Sequence, residues 1–224
     1  MAYPTVSGPY GLKPINLIGG QVFAGSTRNI PIASGYAANI FYGDVVTLVA
    51  GGTIQVSPLA ADTSPLAGVV GVFMGCSFTS PVTKQKVFSQ FWPTGTVASD
   101  AVAIVADDPD TLFKGVLVAG TTSDDVASGL LPAYLGQTVV GSNARLVLNT
   151  GSITTGDSKN GIYTAAGATT TSLPLRIVDV VPDTANSSGN VVELIVKFNF
   201  GYHSYYNATG IYELNNGYFT RTTT

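Results

Sequence analysis

The sequence is poor in charge. Asp, Glu, Lys and Arg make up only 10% of its 224 residues, whereas an ordinary soluble domain carries roughly 25%. The cations are scattered from Lys13 to Arg221 and form no basic stripe, so we do not expect it to bind nucleic acid. A surface with so few charges resists association poorly. The composition therefore favours a protein that works within an assembly, or a secreted β protein with Thr-rich faces.

Cysteine and histidine each occur once. Cys76 alone can form neither an internal disulfide nor a Cys-based metal cage, and no cation stands near it in sequence to lower its thiol pKa. It is predicted to be a buried apolar residue. His203 stands between aromatic residues with no Ser or Cys motif nearby, which favours a structural or interface histidine over a catalytic base. We therefore expect no catalytic residues and no enzyme.

Long apolar runs and known leader or cofactor motifs are also missing. The apolar runs are broken by Gly, Thr and Asp before the roughly 18 residues that a membrane span requires. The N-terminus has neither a basic nor an apolar leader region, which predicts no secretory signal. Gly19-Gly20 lacks the spacing and the following helix of a phosphate-binding loop. We expect no membrane insertion and no cofactor.

One acidic cluster could supply oxygen ligands to a hard cation. Asp107, Asp108 and Asp110 surround Pro109, but they lack the long alternating ligand loop of a calcium site. The same string serves as a turn with side-chain caps after a strand at 102–106. We favour the turn and predict no metal site.

What the sequence has is a series of short β-rich runs separated by turn residues, with enough apolar side chains, 45% of the chain, to fill a core. The pattern predicts an all-β fold, an antiparallel β-sandwich or a barrel-like domain. Gly51-Gly52 predicts a hairpin, 82–92 an edge or bent strand at a rim, 121–135 a short helix and 149–172 tight turns with a surface hairpin. The predicted strands are 21–24, 28–32, 45–50, 53–57, 69–74, 82–92, 102–106, 113–118, 138–140, 145–148, 174–181 and 190–200.

The two ends differ from the middle. Residues 1–19 are rich in Pro and Gly yet apolar, which predicts an extended arm, and residues 201–224 form a second arm rich in Tyr and Asn. Residues 20–200 are predicted to form a single β-rich domain with two possible subdomains. The candidate partner contacts are Tyr3, Tyr10, Leu12, Ile15, Tyr202, Tyr205, Tyr206, Tyr212, Tyr218 and Phe219. The alternative is that the arms pack on their own domain.

Several segments, in their order along the chain, carry a family resemblance. They are Gly11-Leu12-Lys13-Pro14, Gly43-Asp44-Val45-Val46, Gly68-Val69-Val70-Gly71-Val72-Phe73, the run from Val105 to Phe113, Leu175-Arg176-Ile177-Val178-Asp179 and the run from Leu194 to Asn199. Together they resemble a class of tailed-phage structural proteins that are found with the major capsid protein and thought to be capsid cement or decoration proteins. The Tyr-rich end is longer than in that family.

The resemblance implies a virion protein on the capsid exterior, assembled in the bacterial host cytoplasm. Its partners would be the major capsid protein and copies of itself, as a trimer or a dimer. It would bridge capsid subunits and stabilise the shell. Two alternatives stay open. One is a tail or fibre component, although the chain shows no internal repeats. The other is a carbohydrate-binding β-sandwich in which Trp92 and the Tyr-rich end form stacking platforms.

Overall fold

A computed structural model describes residues 8–49, 51–57, 68–118, 137–163, 173–184, 192–199 and 201–206, and the backbone of residues 214–215 and 218–219. Runs rich in β-branched and aromatic residues form strands there, because such side chains pack well on a pleated surface. The strands are β1 (Lys13–Leu17), β2 (Arg28–Pro31), β3 (Val45–Leu48), β4 (Ile54–Val56), β5 (Val69–Thr79), β6 (Lys86–Ser89), β7 (Val102–Ala106), β8 (Thr111–Val116), β9 (Asn143–Val147), β10 (Gly161–Tyr163), β11 (Leu175–Val180), β12 (Glu193–Phe198), β13 (Leu214–Asn215) and β14 (Tyr218–Phe219). Short 3-10 turns cover Gln137–Val139 and Ser204–Tyr206. The described residues include no helix with the length and apolar character of a membrane span.

The strands form two antiparallel sheets that pack as a sandwich. The first sheet has the order β1-β8-β12-β11-β9-β10, and the second has the order β2-β7-β5-β3-β4 with β6 beside β5. β13 and β14 pair with each other. The predicted all-β antiparallel fold is confirmed.

The second sheet has a hydrophobic core on each face. Val69 and Val72 of β5 lie in the core shared with the first sheet, together with Phe113 and Leu194. Although they are three positions apart, they share a face because the register of β5 shifts opposite Val46 and Thr47. The other face of the sheet carries a second cluster that includes Phe73. Loop residues cover this second cluster, which explains why the strands of the second sheet read as continuous apolar runs.

Two local predictions are confirmed. β3 and β4 form an antiparallel hairpin, and Gly51 and Gly52 take φ values of 94° and 76° in its turn, a region that favours glycine. In the segment 82–92, only Lys86–Ser89 forms a strand, and within the described residues it pairs with β5 alone. It is therefore an edge strand, as its mixed alternation predicts.

Two predicted strands are wrong. Residues 21–24 contribute a single bridge between Val22 and Asn16, because the chain reverses tightly just before them and Gly20 N–H donates to Leu17 O over 2.9 Å. Residues 138–140 lie at the end of a 3-10 turn. That turn already buries Val139 in the first core, so no strand is needed to place its side chain there.

Four strands were missed: β1 and β10 in the first sheet, and the short pair β13 and β14 in the predicted C-terminal arm. β1 lies inside the predicted N-terminal arm, where Pro14 and the neighbouring glycines argue against a strand. It pairs with β8 at the edge of the first sheet, with a break in register between Pro14 and Asn16. β10 lies within residues 149–172, where the sequence predicts tight turns and a surface hairpin, and it pairs with β9. The predicted helix at 121–135 lies outside the described residues.

Candidate functional site

The C-terminal segment folds back onto the sandwich immediately after β12. Gly201 turns the chain with a φ of 88°, and Tyr202 O accepts a hydrogen bond from Val69 N–H at the start of β5 over 3.0 Å. This pairing places the Tyr202 side chain in the first core, where it is 1% exposed. The Tyr202 ring therefore contacts its own domain and is not open to a partner, contrary to the predicted contact.

A cluster around Asp107 holds the next residues. The hydroxyl of Tyr205 donates to Asp107 Oδ2 over 2.6 Å, and Arg28 Nε lies 2.7 Å from the same oxygen. The Arg28 guanidinium also lies over the Tyr205 ring, 5.2 Å from its centre, a favourable cation–π arrangement. Burial, followed by the Asp107 carboxylate, raises the pKa of Tyr205 to about 12. Tyr205 therefore remains a neutral hydrogen-bond donor to the buried carboxylate at physiological pH.

His203 lies beneath this cluster and is buried. Its Nδ1 accepts a hydrogen bond from Tyr205 N–H over 3.3 Å, and its ring centre lies 5.0 Å from that of Tyr205 in an edge-to-face contact. Burial lowers the pKa of His203, while the nearby Asp107 carboxylate acts in the opposite direction. The contacts place His203 in a structural role as a neutral ring that orders the turn Ser204–Tyr206.

The N-terminal segment is anchored at a second carboxylate, Glu193 at the start of β12. The Tyr10 hydroxyl donates to Glu193 Oε1, and Lys114 Nζ lies 3.1 Å from the same carboxylate. Lys13 Nζ lies 4.5 Å from the centre of the Tyr10 ring. Burial and the neighbouring Glu193 raise the pKa of Tyr10. Tyr10 is thus bound on its hydroxyl by an anion and on its ring by a cation.

A buried network beside this anchor joins three separate parts of the chain. Asp44 is 4% exposed and accepts hydrogen bonds from the Ser158 hydroxyl at 2.6 Å, the Asn160 amide at 2.9 Å and Phe41 N–H at 2.8 Å. Gly11 N–H in turn donates to Asn160 O over 3.0 Å. Burial raises the pKa of Asp44, although these hydrogen bonds act in the opposite direction. The network fixes the N-terminal segment at the end of both sheets.

The predicted partner contacts therefore fall into distinct groups. Leu12, like Tyr202, is 1% exposed and belongs to the first core, because the N-terminal segment packs on its own domain there. Tyr10 and Ile15 are half-buried, whereas Tyr205 and Tyr206 are each 42% exposed. The remaining predicted contacts lie outside the described side chains: Tyr3, Tyr212, Tyr218 and Phe219.

The acidic cluster after β7 forms the turn predicted from its sequence. Asp108 Oδ1 accepts from Asp110 N–H over 2.8 Å, while Asp110 pairs with Lys197 at 2.6 Å. Asp107 binds Arg28 and the Tyr205 hydroxyl instead. The three carboxylates thus serve three different sets of partners. In the described ranges, no group of three His, Cys, Asp or Glu side chains is arranged to hold a metal ion.

Trp92 and Cys76, both considered as possible functional residues from the sequence, are buried. Trp92 is fully buried and packs edge-to-face on Phe78 with ring centres 5.3 Å apart, so it offers no stacking platform for a sugar. Cys76 is 1% exposed, which confirms the predicted buried residue. Burial raises the pKa of its thiol to about 12, so the reactive thiolate is scarce at physiological pH.

The sequence did not indicate the two buried carboxylates that anchor the N-terminal segment. A local signal was available in each case, because Asp44 directly precedes an apolar strand and Glu193 directly begins one. A carboxylate at such a position is buried only with hydrogen-bond or ionic partners. Those partners, Ser158 and Tyr10 among them, lie 114 and 183 positions away, which no local pattern shows.

Comparison with known proteins gives no relative from which a role can be transferred. No family model, curated protein or solved structure matches this chain.

Proposed function

We propose that this protein is a non-enzymatic structural protein of a tailed-phage virion that binds the outside of the capsid and bridges neighbouring major capsid protein subunits. The ordered segments that resemble capsid cement proteins support the choice of partner. The structure adds support of a different kind, through the position of the two terminal segments on the sandwich.

The observation that carries the bridging role is that the two terminal segments are anchored at opposite ends of β8. Tyr10 binds Glu193, which pairs with Val116 at the end of β8. Tyr205 binds Asp107, which precedes the start of β8 at Thr111. The six residues of β8 span about 20 Å. The two anchors are therefore about one strand length apart, a spacing that supports contact with two neighbouring subunits, one through each terminal segment.

The anchors also suit a bridging role energetically. Each terminal segment is held by one carboxylate and by a backbone hydrogen bond. Glu193 and the Gly11 N–H hold the N-terminal segment, and Asp107 and the Tyr202 carbonyl hold the C-terminal segment. A load on either segment is thus passed directly to the strands of both sheets. Two linked contacts also raise the effective concentration for rebinding after one of them dissociates.

The body itself offers a nearly neutral surface. Among the described residues, four ion pairs hold charged side chains against each other: Arg28 with Asp107, Lys86 with Asp100, Lys114 with Glu193 and Lys197 with Asp110. Contacts repeated over a lattice then depend on shape and on hydrogen bonds from Ser, Thr and Asn rather than on charge. Such a surface fits a protein that covers a shell.

The test is to add the purified chain to expanded phage shells that lack it and to image the shells by cryo-electron microscopy. We expect density at fixed lattice positions, each body touching two capsid subunits. Chains truncated before residue 8 or after residue 206 should each occupy fewer positions, whereas Val97→Ser, a change at an exposed loop side chain, should bind as the parent does. Bare shells, or the chain found on tails, would overturn the proposal and favour the tail-component alternative.

A further inference from the structure

One side of the sandwich presents an exposed aromatic side chain beside an open cavity. Phe88 on β6 is 79% exposed. It pairs in register with Ser77, which also pairs with Val102 on β7, so these side chains share one face of the second sheet. A cavity of about 460 Å³ opens there, and Phe88, Met74 and Ile104 form its apolar part.

The same cavity contains one cation and one anion, Lys13 and Asp157. Within the described residues, neither forms an ion pair. Lys13 Nζ lies over the rings of Tyr10 and Tyr42, at 4.5 and 5.7 Å from their centres, and Asp157 Oδ1 accepts a hydrogen bond from the Gln90 amide at 2.8 Å. Covering this face with an apolar partner would remove both charges from water without compensation, at a large cost.

We propose that this face binds a second copy of this chain across a two-fold axis. In a two-fold contact the same patch is used on both molecules, so it must be complementary to itself. This face meets that requirement, because each molecule offers a projecting aromatic ring, an apolar recess, a cation and an anion. The axis pairs Lys13 of one copy with Asp157 of the other, twice, while the Phe88 rings enter the facing recesses. A different partner would have to supply all four features independently.

The contact goes beyond the proposed capsid binding and is tested without any shell. The mass of the full chain in solution is measured by analytical ultracentrifugation over a range of concentrations. We expect a species of twice the 23.1 kDa of one chain, in equilibrium with the single chain. A chain that stays single at every concentration would overturn the inference and leave the capsid proposal untouched.

Charge reversal identifies the face. Lys13→Asp gives each molecule two anions at the cavity and Asp157→Lys gives it two cations, so each variant alone should be a single chain because like charges then face each other. Mixed in equal amounts, the two variants should form a heterodimer, since the anionic face of one matches the cationic face of the other. Two variants that dimerise alone as the parent does would overturn the pairing.

Phe88→Ser tests the apolar part of the contact. It should raise the dimer dissociation constant about tenfold or more, the change expected for a central aromatic residue. Val97→Ser is the matched control, because Val97 is 66% exposed and does not line the cavity; its dissociation constant should equal that of the parent. Far-ultraviolet circular dichroism checks that every variant is folded. A dimer that Phe88→Ser leaves as strong as the parent's would show that another surface is used.

Discussion

The hydroxyl of Tyr205 donates a hydrogen bond to Oδ2 of Asp107 over 2.6 Å, across 98 positions of sequence. This bond joins the segment after β12 to the end of β7, and so links the chain's C-terminal side to the second sheet. Arg28 binds the same oxygen, so the Tyr205 hydroxyl and the Arg28 guanidinium share one carboxylate. The Tyr205 side chain is therefore held by Asp107 at its hydroxyl and by Arg28 over its ring.

Tyr205→Phe should loosen this link without unfolding the protein. The ring contact with Arg28 remains, but one hydrogen bond to a carboxylate is lost, which we expect to cost about 1 kcal/mol because the site is partly exposed to solvent. Faster amide hydrogen exchange in residues 201–206, measured by mass spectrometry, would report the change. Tyr42→Phe is the control, since among the described residues the Tyr42 hydroxyl has no hydrogen-bond partner. Equal exchange in the two variants would contradict the role given to the Tyr205 hydroxyl.

Asp44→Ala should be among the most damaging single substitutions. It leaves the Ser158 hydroxyl, the Asn160 amide and Phe41 N–H without their acceptor in a buried site, at a cost of about 3 kcal/mol or more. Urea unfolding measures the loss. Asp183→Ala, at an exposed aspartate in a turn, should change the free energy of unfolding by less than about 0.5 kcal/mol. A similarly small effect at Asp44 would show that the network does not stabilise the fold.

Gly11→Ala should release the N-terminal segment. Gly11 has a φ of 78°, and a Cβ there would lie 2.5 Å from Gly43 O and 2.7 Å from Ser158 Cβ. Gly25 has the same φ, but a Cβ added to it would meet no atom within 4 Å, so Gly25→Ala carries the backbone strain without the collision. We expect Gly11→Ala to lower the free energy of unfolding by about 2 kcal/mol more than Gly25→Ala does. Equal losses would mean that the close approach at Gly43 can relax.

Acid should weaken the C-terminal segment through His203. Burial lowers the pKa of His203 from its ordinary 6.5, while Asp107 and Asp108 act in the opposite direction. The folded state therefore binds the proton less tightly than the unfolded state does. The contribution of His203 to the free energy of unfolding is full above pH 6.5 and is lost as the pH falls below that value. Protonation of Nδ1 also removes the acceptor of the Tyr205 N–H.

The comparison of the parent with His203→Gln isolates this effect. The free energy of unfolding is measured at several pH values between 7.5 and 5, and the parent should lose more of it on acidification than the variant does. Asp44 titrates with the opposite sign, because its raised pKa favours the folded state at low pH, but it is present in both proteins and cancels in the difference. Parallel pH profiles would contradict a buried, neutral His203.

Features with a local signal could be predicted from the sequence. The hairpin turn at Gly51 and Gly52 needs positive φ values, and two adjacent glycines indicate that need directly. The alternation of apolar residues along β12 likewise indicates that Leu194, Val196 and Phe198 share one face, and all three are buried. By contrast, β1 was missed because Pro14 and its glycine neighbours oppose a strand, and pairing with β8 overrides that preference.

The terminal segments mark the limit of this reasoning. The sequence shows that Leu12 and Tyr202 are apolar or aromatic in segments that interrupt regular structure, but it does not show which surface covers them. Such side chains can be buried against a partner protein or against the chain's own domain, and the local sequence is the same in both cases. The structure places both residues in the first core, while the exposed Tyr205 and Tyr206 remain predicted contacts.

The sequence by itself determined the all-β class, the shortage of charge and the lack of any internal disulfide, because strand periodicity, turn glycines and composition are properties of short stretches or of the whole count. Only the tertiary structure decided which carboxylates are buried and what binds them. Tyr10 meets Glu193 across 183 positions, and that meeting depends on the order β1-β8-β12 in the first sheet. Strand order depends on the packing of the complete core. That packing involves many contacts between residues far apart in sequence, which no short segment reveals.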